Sequence, residues 1–215
     1  MTDFQKAKVL PNFYLFLIPE VNAMKEEIFQ IFKESAEVKG RFIRSQVETL
    51  IQVVKVLVAA FKGGHKVLLF GNGGSAADAQ HLAAEFVNRF LIERPPLPAI
   101  ALTTDTSILT SISNDYGYAD TFAKQVKALG REGDVAIGIS TSGTAANVVK
   151  AIKVAKDLGL KTVGLTGGDG GDLAKIVDFA LVVDSSATPR IQETHIAIGH
   201  VLCEMVDRML FQQPG

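Results

Sequence analysis

A loop rich in small residues, Gly71-Asn72-Gly73-Gly74-Ser75, could hold a bound anion. Glycines have no side chain, so their backbone N–H groups can approach an anion closely, and Ser75 could cap a helix that begins near Ala76. Ala76 occupies the place of the third glycine in the dinucleotide-binding motif, and a Walker lysine is missing, so neither nucleotide class is favoured. Without further signals, a tight turn with a helix cap is the better interpretation of this loop.

A second loop carries more hydroxyl groups than a helix cap needs. Ser140, Thr141, Ser142 and Thr144 surround Gly143 just before a segment with helical periodicity. A cap uses one hydroxyl, whereas several hydroxyls together with helix N-terminal amides can bind a phosphate without any basic residue. The hydroxyl count therefore favours phosphate binding over capping alone, with other anions still possible.

Two pairs of polar residues have the types and spacing of metal ligands. His81 and Glu85 are four residues apart on the predicted helix after the glycine loop, so both side chains lie on one face. Gln192 and His200 are polar residues about two turns apart among apolar ones on the last predicted helix. Together they would offer zinc four acceptable ligands, although glutamine is uncommon in that role. From His81 and Glu85 alone, a surface His–Glu pair is the preferred interpretation. Gln192 and His200 could equally be hydrogen-bonded core groups.

Short apolar runs predict the sheet that must position these residues. Each run ends in Gly, Ser, Thr or Asp, and most are followed by a helical pattern, which indicates parallel strands joined by right-handed crossovers. We therefore predict an α/β fold, with a doubly wound, about five-stranded parallel sheet flanked by helices. Ligands then bind at the carboxyl ends of the strands, where both loops lie. The predicted strands are Val67–Phe70, Ala99–Leu102, Val135–Ile139, Thr162–Leu165 and Phe179–Val183.

Helical patterns flank this sheet at both ends of the chain. Apolar residues at helical spacing between Met24 and about Lys62 predict an N-terminal pair of amphipathic helices, and residues 189–210 predict a final helix. Residues 1–23 differ in composition and are interpreted as an N-terminal extension. Residues 24–215 are then a single domain that includes the N-terminal helices.

Composition limits the partners and the compartment. The 215 residues are 47% hydrophobic and carry a formal net charge of -1, so the chain has a proper core but no broad positive field for nucleic acid or an anionic membrane. Prolines 11 and 19 bracket the most apolar N-terminal stretch, which argues against a membrane span or a signal peptide. The single cysteine, Cys203, cannot form an internal disulfide, and we expect a cytoplasmic protein.

The order of these motifs closely resembles the bacterial phosphoheptose isomerases of the sugar isomerase (SIS) family. The resemblance covers about residues 40–210, so it is far more specific than any one motif. It is carried by residues 71–75, Asp78, His81, Glu85, 98–101, Asn114-Asp115, 130–134, 139–143, 165–167 and 190–193.

The resemblance implies an activity, a cofactor and an assembly. Members of this family convert sedoheptulose 7-phosphate to glycero-manno-heptose 7-phosphate, a precursor of the heptose in lipopolysaccharide, and are usually homotetramers with active sites at subunit contacts. The implied zinc ligands are His81, Glu85, Gln192 and His200. The implied substrate-binding residues are Asn72, Gly73, Gly74, Ser75, Asn114, Asp115, Ser140, Thr141, Ser142 and Gln192.

Aldose–ketose isomerisation requires a base and an acid beside the carbonyl, and passes through an enediol. We assign Glu85 as the base and His200 as its acid/base partner, with zinc as a Lewis acid. The chain departs from the family at Ala145, where a further serine is common, and at Pro189, where many relatives have an acidic residue.

Two other functions are compatible with parts of the sequence. Residues 93–95, 97–102, 123–126 and 210–211 also resemble a family member that binds the bacterial replication initiator as a non-catalytic adaptor. That function gives Glu85 and His200 no evident use, so we favour the enzyme. A sugar-phosphate sensor ranks last, because neither a helix-turn-helix motif nor a basic surface is visible.

Overall fold

The computed structural model describes the backbone of residues 12–212 and the side chains of residues 21–212. Residues 1–11 of the predicted extension lie outside the described residues. The helices are α1 (Asn12–Lys62), α2 (Gly74–Val87), α3 (Thr106–Asp115), α4 (Thr121–Leu129), α5 (Ala146–Asp157), α6 (Gly171–Ile176) and α7 (Thr188–Phe211). The strands are β1 (Val67–Gly71), β2 (Ala99–Ala101), β3 (Val135–Ser140), β4 (Lys161–Gly167) and β5 (Phe179–Val183), and a short 3-10 helix spans Tyr118–Asp120.

The five strands form one parallel sheet in the order β2-β1-β3-β4-β5. The predicted doubly wound sheet is confirmed, because all five apolar runs are strands. β1 and β3 are neighbours, with Gly71 opposite Ile139 at their carboxyl ends. The two small-residue loops therefore leave adjacent strands at the same edge of the sheet.

Alternate residues of the central strands enter two different hydrophobic clusters. Val67 and Leu69 of β1 pack in the cluster that includes apolar residues of α1, α2 and α7. Leu68 and Phe70 pack in the other cluster, with α4 and α5. Because side chains alternate along a strand, each run is apolar on both faces. As a result α2 and α7 cover the same face of the sheet, which places their polar residues within reach of each other.

The predicted N-terminal helical pair is instead one continuous helix, α1, of 51 residues. A physical reason lies between residues 33 and 49, where strong helix formers such as Glu, Lys, Arg, Ala and Gln predominate and proline is missing. Gly40 alone costs about 1 kcal/mol, which is too little to end a helix. The helix begins at Asn12, inside the predicted extension.

Contacts between residues divide the chain into two compact units, one ending at Glu37 and the other beginning at Val38. The second unit contains the sheet and all residues of the predicted site. Among the residues that the structure describes, no helix is both long enough and apolar enough to cross a membrane.

Candidate functional site

The glycine loop is a tight connection between β1 and α2. Gly73 has a φ of 54°, a left-handed backbone conformation that favours glycine, and the amide of Ser75 donates to the carbonyl of Asn72 at 2.9 Å. The prediction that Ser75 caps the helix is wrong. Helix α2 begins at Gly74, Gly73 is its N-cap residue, and within the described residues the cap makes no side-chain hydrogen bond. Ser75 itself is buried in the first turn.

Asn72 is held in place by two side chains that the sequence did not single out. Its amide and that of Asn147 on α5 bond reciprocally, at 2.9 and 2.8 Å. The hydroxyl of Tyr118 also donates to Asn72 Oδ1 at 2.9 Å. These bonds link the glycine loop to the first turn of α5, and therefore to the second loop. Nothing in the spacing of Tyr118 or Asn147 indicated this contact beforehand.

The hydroxyls of the second loop do not cap the following helix. Helix α5 starts at Ala146 with Ala145 as its N-cap, and in the described part of the chain no side chain bonds to this cap. Ser142 Oγ lies 2.9 Å from Thr144 Oγ1, both residues are exposed, and Ser140 is buried at the end of β3. The open end of α5 and these hydroxyls together have the chemistry of a phosphate site.

Gly143 lets the second loop approach the loop after β4. Its φ is 68°, and a Cβ atom added there would lie 2.6 Å from the carbonyl carbon of Gly170. Next to this contact is a cavity of about 190 Å³ lined by Thr141, Ser142 and residues from the loops after β4 and β5. At the end of β4, in those loops and at the start of α7, the lining residues include Gly167, Gly168, Asp169, Ser185, Ser186 and Thr188.

Asn114 and Asp115, the other predicted substrate contacts, lie at the end of α3. Both are exposed, and Asn114 Nδ2 donates to Asp115 Oδ1 at 2.9 Å. Their nearest link to the loops is through the 3-10 helix that follows, whose Tyr118 bonds to Asn72. Asn114 and Asp115 therefore lie close in the chain to Tyr118, which bonds to the glycine loop, and not in that loop.

Three of the four predicted zinc ligands meet between α2 and α7. The Nε2 atoms of His81 and His200 are 2.9 Å apart, and His81 Nε2 lies 3.4 Å from Glu85 Oε1. The ring of Phe90 packs against His200, with centroids 5.5 Å apart. The side chain of His81 is 46% exposed and that of Glu85 is 24% exposed, so a substrate could reach both.

Gln192, the fourth predicted ligand, lies at the opposite end of α2. A Cβ atom added at Gly74 would lie 2.5 Å from Gln192 Nε2, so the amide rests on the start of that helix. Gly199 packs against Leu82 further along, which shows that α2 and α7 run side by side in the same direction. The rise from Gly74 to His81 is about 10 Å. Of the four predicted zinc ligands, His81, Glu85 and His200 thus form a cluster, and Gln192 lies apart from it.

Asp78, one of the residues that carry the family resemblance, is a nearby carboxylate without a predicted role. Burial raises its pKa above the ordinary value, while His81 and His200 oppose that shift. Its Oδ2 atom is buried and, within the described residues, has no hydrogen-bond partner. Asp78, His81 and Glu85 follow the three- and four-residue spacing of one helix face, which is the signal that could have identified it.

The donor types of the cluster suit zinc, but the described residues contain no group of three His, Cys, Asp or Glu side chains arranged as a metal site. With Zn–N bonds near 2.0–2.1 Å, ligand atoms of a tetrahedral site lie about 3.3 Å apart. The 3.4 Å between His81 and Glu85 matches that spacing, and the 2.9 Å between the histidines is shorter. Small side-chain rotations would therefore open the cluster to a cation.

Two other titratable groups of α7 are structural. His195 is fully buried, its Nε2 is 3.1 Å from the carbonyl of Thr166, and burial lowers its pKa to about 4, so the ring is neutral. Cys203 is also fully buried, and burial raises the pKa of its thiol, with the nearby carboxylates of Glu85 and Asp207 adding to the shift. Neither group is available as a nucleophile or a base at neutral pH.

The parallel sheet, with small-residue loops at the carboxyl ends of neighbouring strands, defines an open α/β class of domain, and comparison with known proteins identifies its family. Residues 30–167 match the family model of the SIS domain, which is more than half of the chain. The chain belongs to the SIS domain family.

Three similar proteins are phosphoheptose isomerases. The chain is 53% identical over 192 residues to the phosphoheptose isomerase of Thermodesulfovibrio yellowstonii, covering 89% of this chain and 96% of that protein. It is 55% identical over 190 residues to the phosphoheptose isomerase of Aquifex aeolicus, covering 88% and 100%. The solved phosphoheptose isomerase of Neisseria gonorrhoeae is 44% identical with a TM-score of 0.81, covering 86% and 98%. The predicted enzyme class, an isomerase, is confirmed.

Proposed function

We propose that this chain is a zinc-dependent isomerase that converts sedoheptulose 7-phosphate to D-glycero-D-manno-heptose 7-phosphate. The observation that carries the proposal is the meeting of His81, Glu85 and His200, at 2.9 and 3.4 Å, in a chain whose relatives are named phosphoheptose isomerases. A carboxylate beside two imidazoles offers a base, an acid and metal ligands in one place. A non-catalytic adaptor would have no need of that combination.

The two loops support a phosphate at one end of the substrate. The hydroxyls of Ser140, Thr141 and Ser142 and the open end of α5 would bind it, with Thr144 in the place of the serine that Ala145 replaces. The side chain of Asn72, which is fixed by its bond to Asn147, would orient the glycine loop toward the sugar. The axial distance of about 10 Å from Gly74 to His81 suits an extended seven-carbon sugar phosphate.

Glu85 would transfer the proton between the two reacting carbons. In the forward direction its carboxylate removes a proton from C1 of the ketose while His200 protonates the carbonyl oxygen on C2, which gives the enediol. The proton then returns from Glu85 to C2, and His200 takes the proton of the C1 hydroxyl, which leaves the aldehyde. Both residues end the cycle as they began it.

His81, Glu85 and His200 would hold the zinc, with Gln192 added if its side chain rotates away from Gly74. When bound, zinc would supply Lewis-acid polarisation of the substrate oxygens. Glu85 and His200 would both have to loosen from the metal to act as the base and the acid. Asn114, Asp115 and the backbone of Gly73 would bind sugar hydroxyls.

We further propose a homo-oligomer, with a tetramer as the expected form. An apolar surface of α1 and α7, here termed the α1/α7 face, supports this assembly. It comprises exposed Ile43, Val47, Ile51, Val201, Met205 and Met209, each 38–46% exposed, around cavities of about 310 and 270 Å³. Contiguous exposed apolar surface of this kind marks an association site. A cytoplasmic enzyme supplying heptose for lipopolysaccharide fits the same proposal.

The decisive test is turnover of sedoheptulose 7-phosphate by the purified protein, with zinc and with a chelator. We expect aldose formation that the chelator abolishes and added zinc restores. Glu85→Gln should lower kcat at least about 100-fold, the usual contribution of general acid–base catalysis. Absence of aldose under all conditions would refute the isomerase and favour the adaptor.

Glu93→Gln is the matched control. Glu93 follows the same helix, is highly exposed and pairs with Arg89 at 3.6 Å, so the same chemical change there removes only a surface ion pair. Its kcat should stay within twofold of the unmodified protein. Equal losses in the two variants would exclude a specific role for Glu85.

A further inference from the structure

Arg94 lies in the loop after α2 and is buried among the last carbonyl groups of that helix. Its NH1 donates to the carbonyl of Phe86 at 2.7 Å, and its NH2 donates to the carbonyl of Glu85 at 2.9 Å. Weaker contacts reach the carbonyls of Asn88 and Pro95, at 3.4 and 3.1 Å. Helix α2 has no basic residue in its last turn, so Arg94 supplies the positive charge that a helix C-terminus favours.

The same guanidinium binds α7. Arg94 Nε donates to Asp207 Oδ1 at 2.8 Å, and the two side chains are 1% and 3% exposed. Among the described residues, Asp207 Oδ2 is buried without a hydrogen-bond partner. Both members of the ion pair are therefore shielded from water. The planar guanidinium, with its fixed donor directions, sets the geometry of the pair.

This ion pair is placed to control the reacting side chains. Arg94 bonds to the backbone of Glu85 itself, and Asp207 is on α7 seven residues, or about two turns, beyond His200. Cys203 lies between His200 and Asp207 along α7. Burial raises the pKa of its thiol, the charges of Glu85 and Asp207 raise it further, and the charge of Arg94 lowers it. A shift of the guanidinium would therefore move α2 relative to α7, and with it Glu85 relative to His200.

We propose that Arg94 and Asp207 are positioning residues for the proposed isomerase, because their buried ion pair joins the end of α2 to α7 and sets the separation of Glu85 and His200. This inference rests on the proposed function for its kinetic consequence. Its structural consequence concerns only the two helices and is measurable without sugar or metal.

The test compares Arg94→Lys and Asp207→Asn with the unmodified protein. Lysine keeps the charge but cannot donate simultaneously to Asp207 and to the carbonyls of Glu85 and Phe86. We expect kcat for aldose formation to fall roughly 10- to 100-fold with KM within about twofold, because a displacement near 1 Å disrupts the reacting geometry. Zinc affinity, measured by titration calorimetry, should fall as well.

Asp134→Asn is the matched control for loss of a buried ion pair. Asp134 is 2% exposed and pairs with Lys66 at 2.5 Å at the amino ends of β1 and β3, the opposite edge of the sheet from the loops. This variant should lose thermal stability and keep kcat within twofold. If the Arg94 and Asp207 variants reduce activity only in proportion to their loss of folded protein, as Asp134→Asn would, the positioning role is refuted.

A second measurement separates this inference from the proposed function. Nitrogen NMR of the imidazoles reports the contact between His81 and His200 in the metal-free protein. We expect the His81 and His200 signals to change in Arg94→Lys and Asp207→Asn and to stay unchanged in Asp134→Asn, where the neighbouring imidazole is that of His65 at 3.9 Å. Unchanged signals in all three variants overturn the positioning role. Failure of the unmodified protein to act on the sugar phosphate would instead refute the proposed isomerase, while the NMR comparison still decides the inference.

Discussion

Replacement of Gly199 by alanine should separate α2 from α7 and disrupt the cluster between them. A Cβ atom at Gly199 would lie 2.7 Å from Leu82 Cδ1 and 3.0 Å from Leu82 Cγ. Leu82 is 2% exposed and belongs to the hydrophobic cluster formed by α1, α2, α7 and the sheet, so its side chain has little space into which it can move. His81 and His200 are the sequence neighbours of these two residues, and any movement reaches their 2.9 Å contact directly.

The size of the effect follows from these distances. Carbon atoms pack best at about 3.5–4.0 Å, so the helices or Leu82 must move by about 1 Å. Overpacking of this kind costs about 1–3 kcal/mol, partly offset by about 1 kcal/mol of helix propensity gained from alanine. A misplacement of about 1 Å can lower turnover about 100-fold, so activity should suffer far more than stability.

The assay is a double-mutant cycle with Leu82→Ala, read by urea unfolding and by kcat. Leu82→Ala alone should cost about 2–5 kcal/mol because it leaves a cavity. The new methyl group of Gly199→Ala would occupy part of that cavity, so the double variant should be more stable than the sum of the two single changes, by about 0.5–3 kcal/mol.

Gly40→Ala is the matched control. Gly40 is also a helical glycine, but a Cβ atom there would meet only the end of the flexible Arg44 side chain, at 3.3 Å. This change should leave activity intact and stabilise the protein by about 0.5–1 kcal/mol. If Gly199→Ala keeps wild-type kcat and unfolding free energy, the close approach of α2 and α7 does not organise the site.

Three further predictions concern other parts of the molecule. Burial lowers the pKa of His195 to about 4, so below pH 6.5 the unfolded chain binds a proton that the folded chain does not. The unfolding free energy should therefore fall from pH 6.5 toward pH 4, by up to about 1.4 kcal/mol per pH unit. Urea titrations measure this fall. His195→Gln should flatten that dependence. Gly143→Ala should weaken inhibition by inorganic phosphate at least tenfold, because its φ of 68° and the carbonyl of Gly170 exclude a side chain. Val201→Glu, on the α1/α7 face and 40% exposed, should reduce the mass found by light scattering without unfolding the chain.

Each of these predictions has a clear contrary result. Identical pH dependence of the unfolding free energy with and without His195 would show that its ring is not held neutral by burial. Unaltered phosphate inhibition in Gly143→Ala would place the anion outside the second loop. An unchanged assembly for Val201→Glu would mean that another surface joins the subunits.

The strands could be predicted because their signal is local. Val67–Phe70 and Val135–Ile139 are continuous apolar runs between turn residues, and a strand buried on both faces requires such a run. The N-terminal helical pair could not be distinguished from one helix in the same way. Periodicity gives the face of a helix, whereas the continuity of α1 depends on whether any residue costs enough to end it, and Gly40 does not.

The site was predicted only in part. His81 and Glu85 share a helix, so their proximity follows from spacing, and the structure adds His200 from α7. Gln192 has a suitable residue type, but the parallel packing of α2 and α7 places it at Gly74. Its ligand role stays a prediction. Asn147 and Tyr118 had no local signal at all, because their partner Asn72 is distant in the chain.

The sequence by itself determined the features that depend on near neighbours along the chain. These are the five apolar strands, the glycines of two tight loops, the hydroxyls around Gly143, and the helix face shared by His81 and Glu85. Only the tertiary structure decided which helices pack together, and hence that His200 completes the cluster and Arg94 joins Asp207. The physical reason is that periodicity encodes which side of an element is buried, whereas contacts between α2 and α7 depend on the shapes of side chains more than a hundred residues apart, such as Leu82 and Gly199.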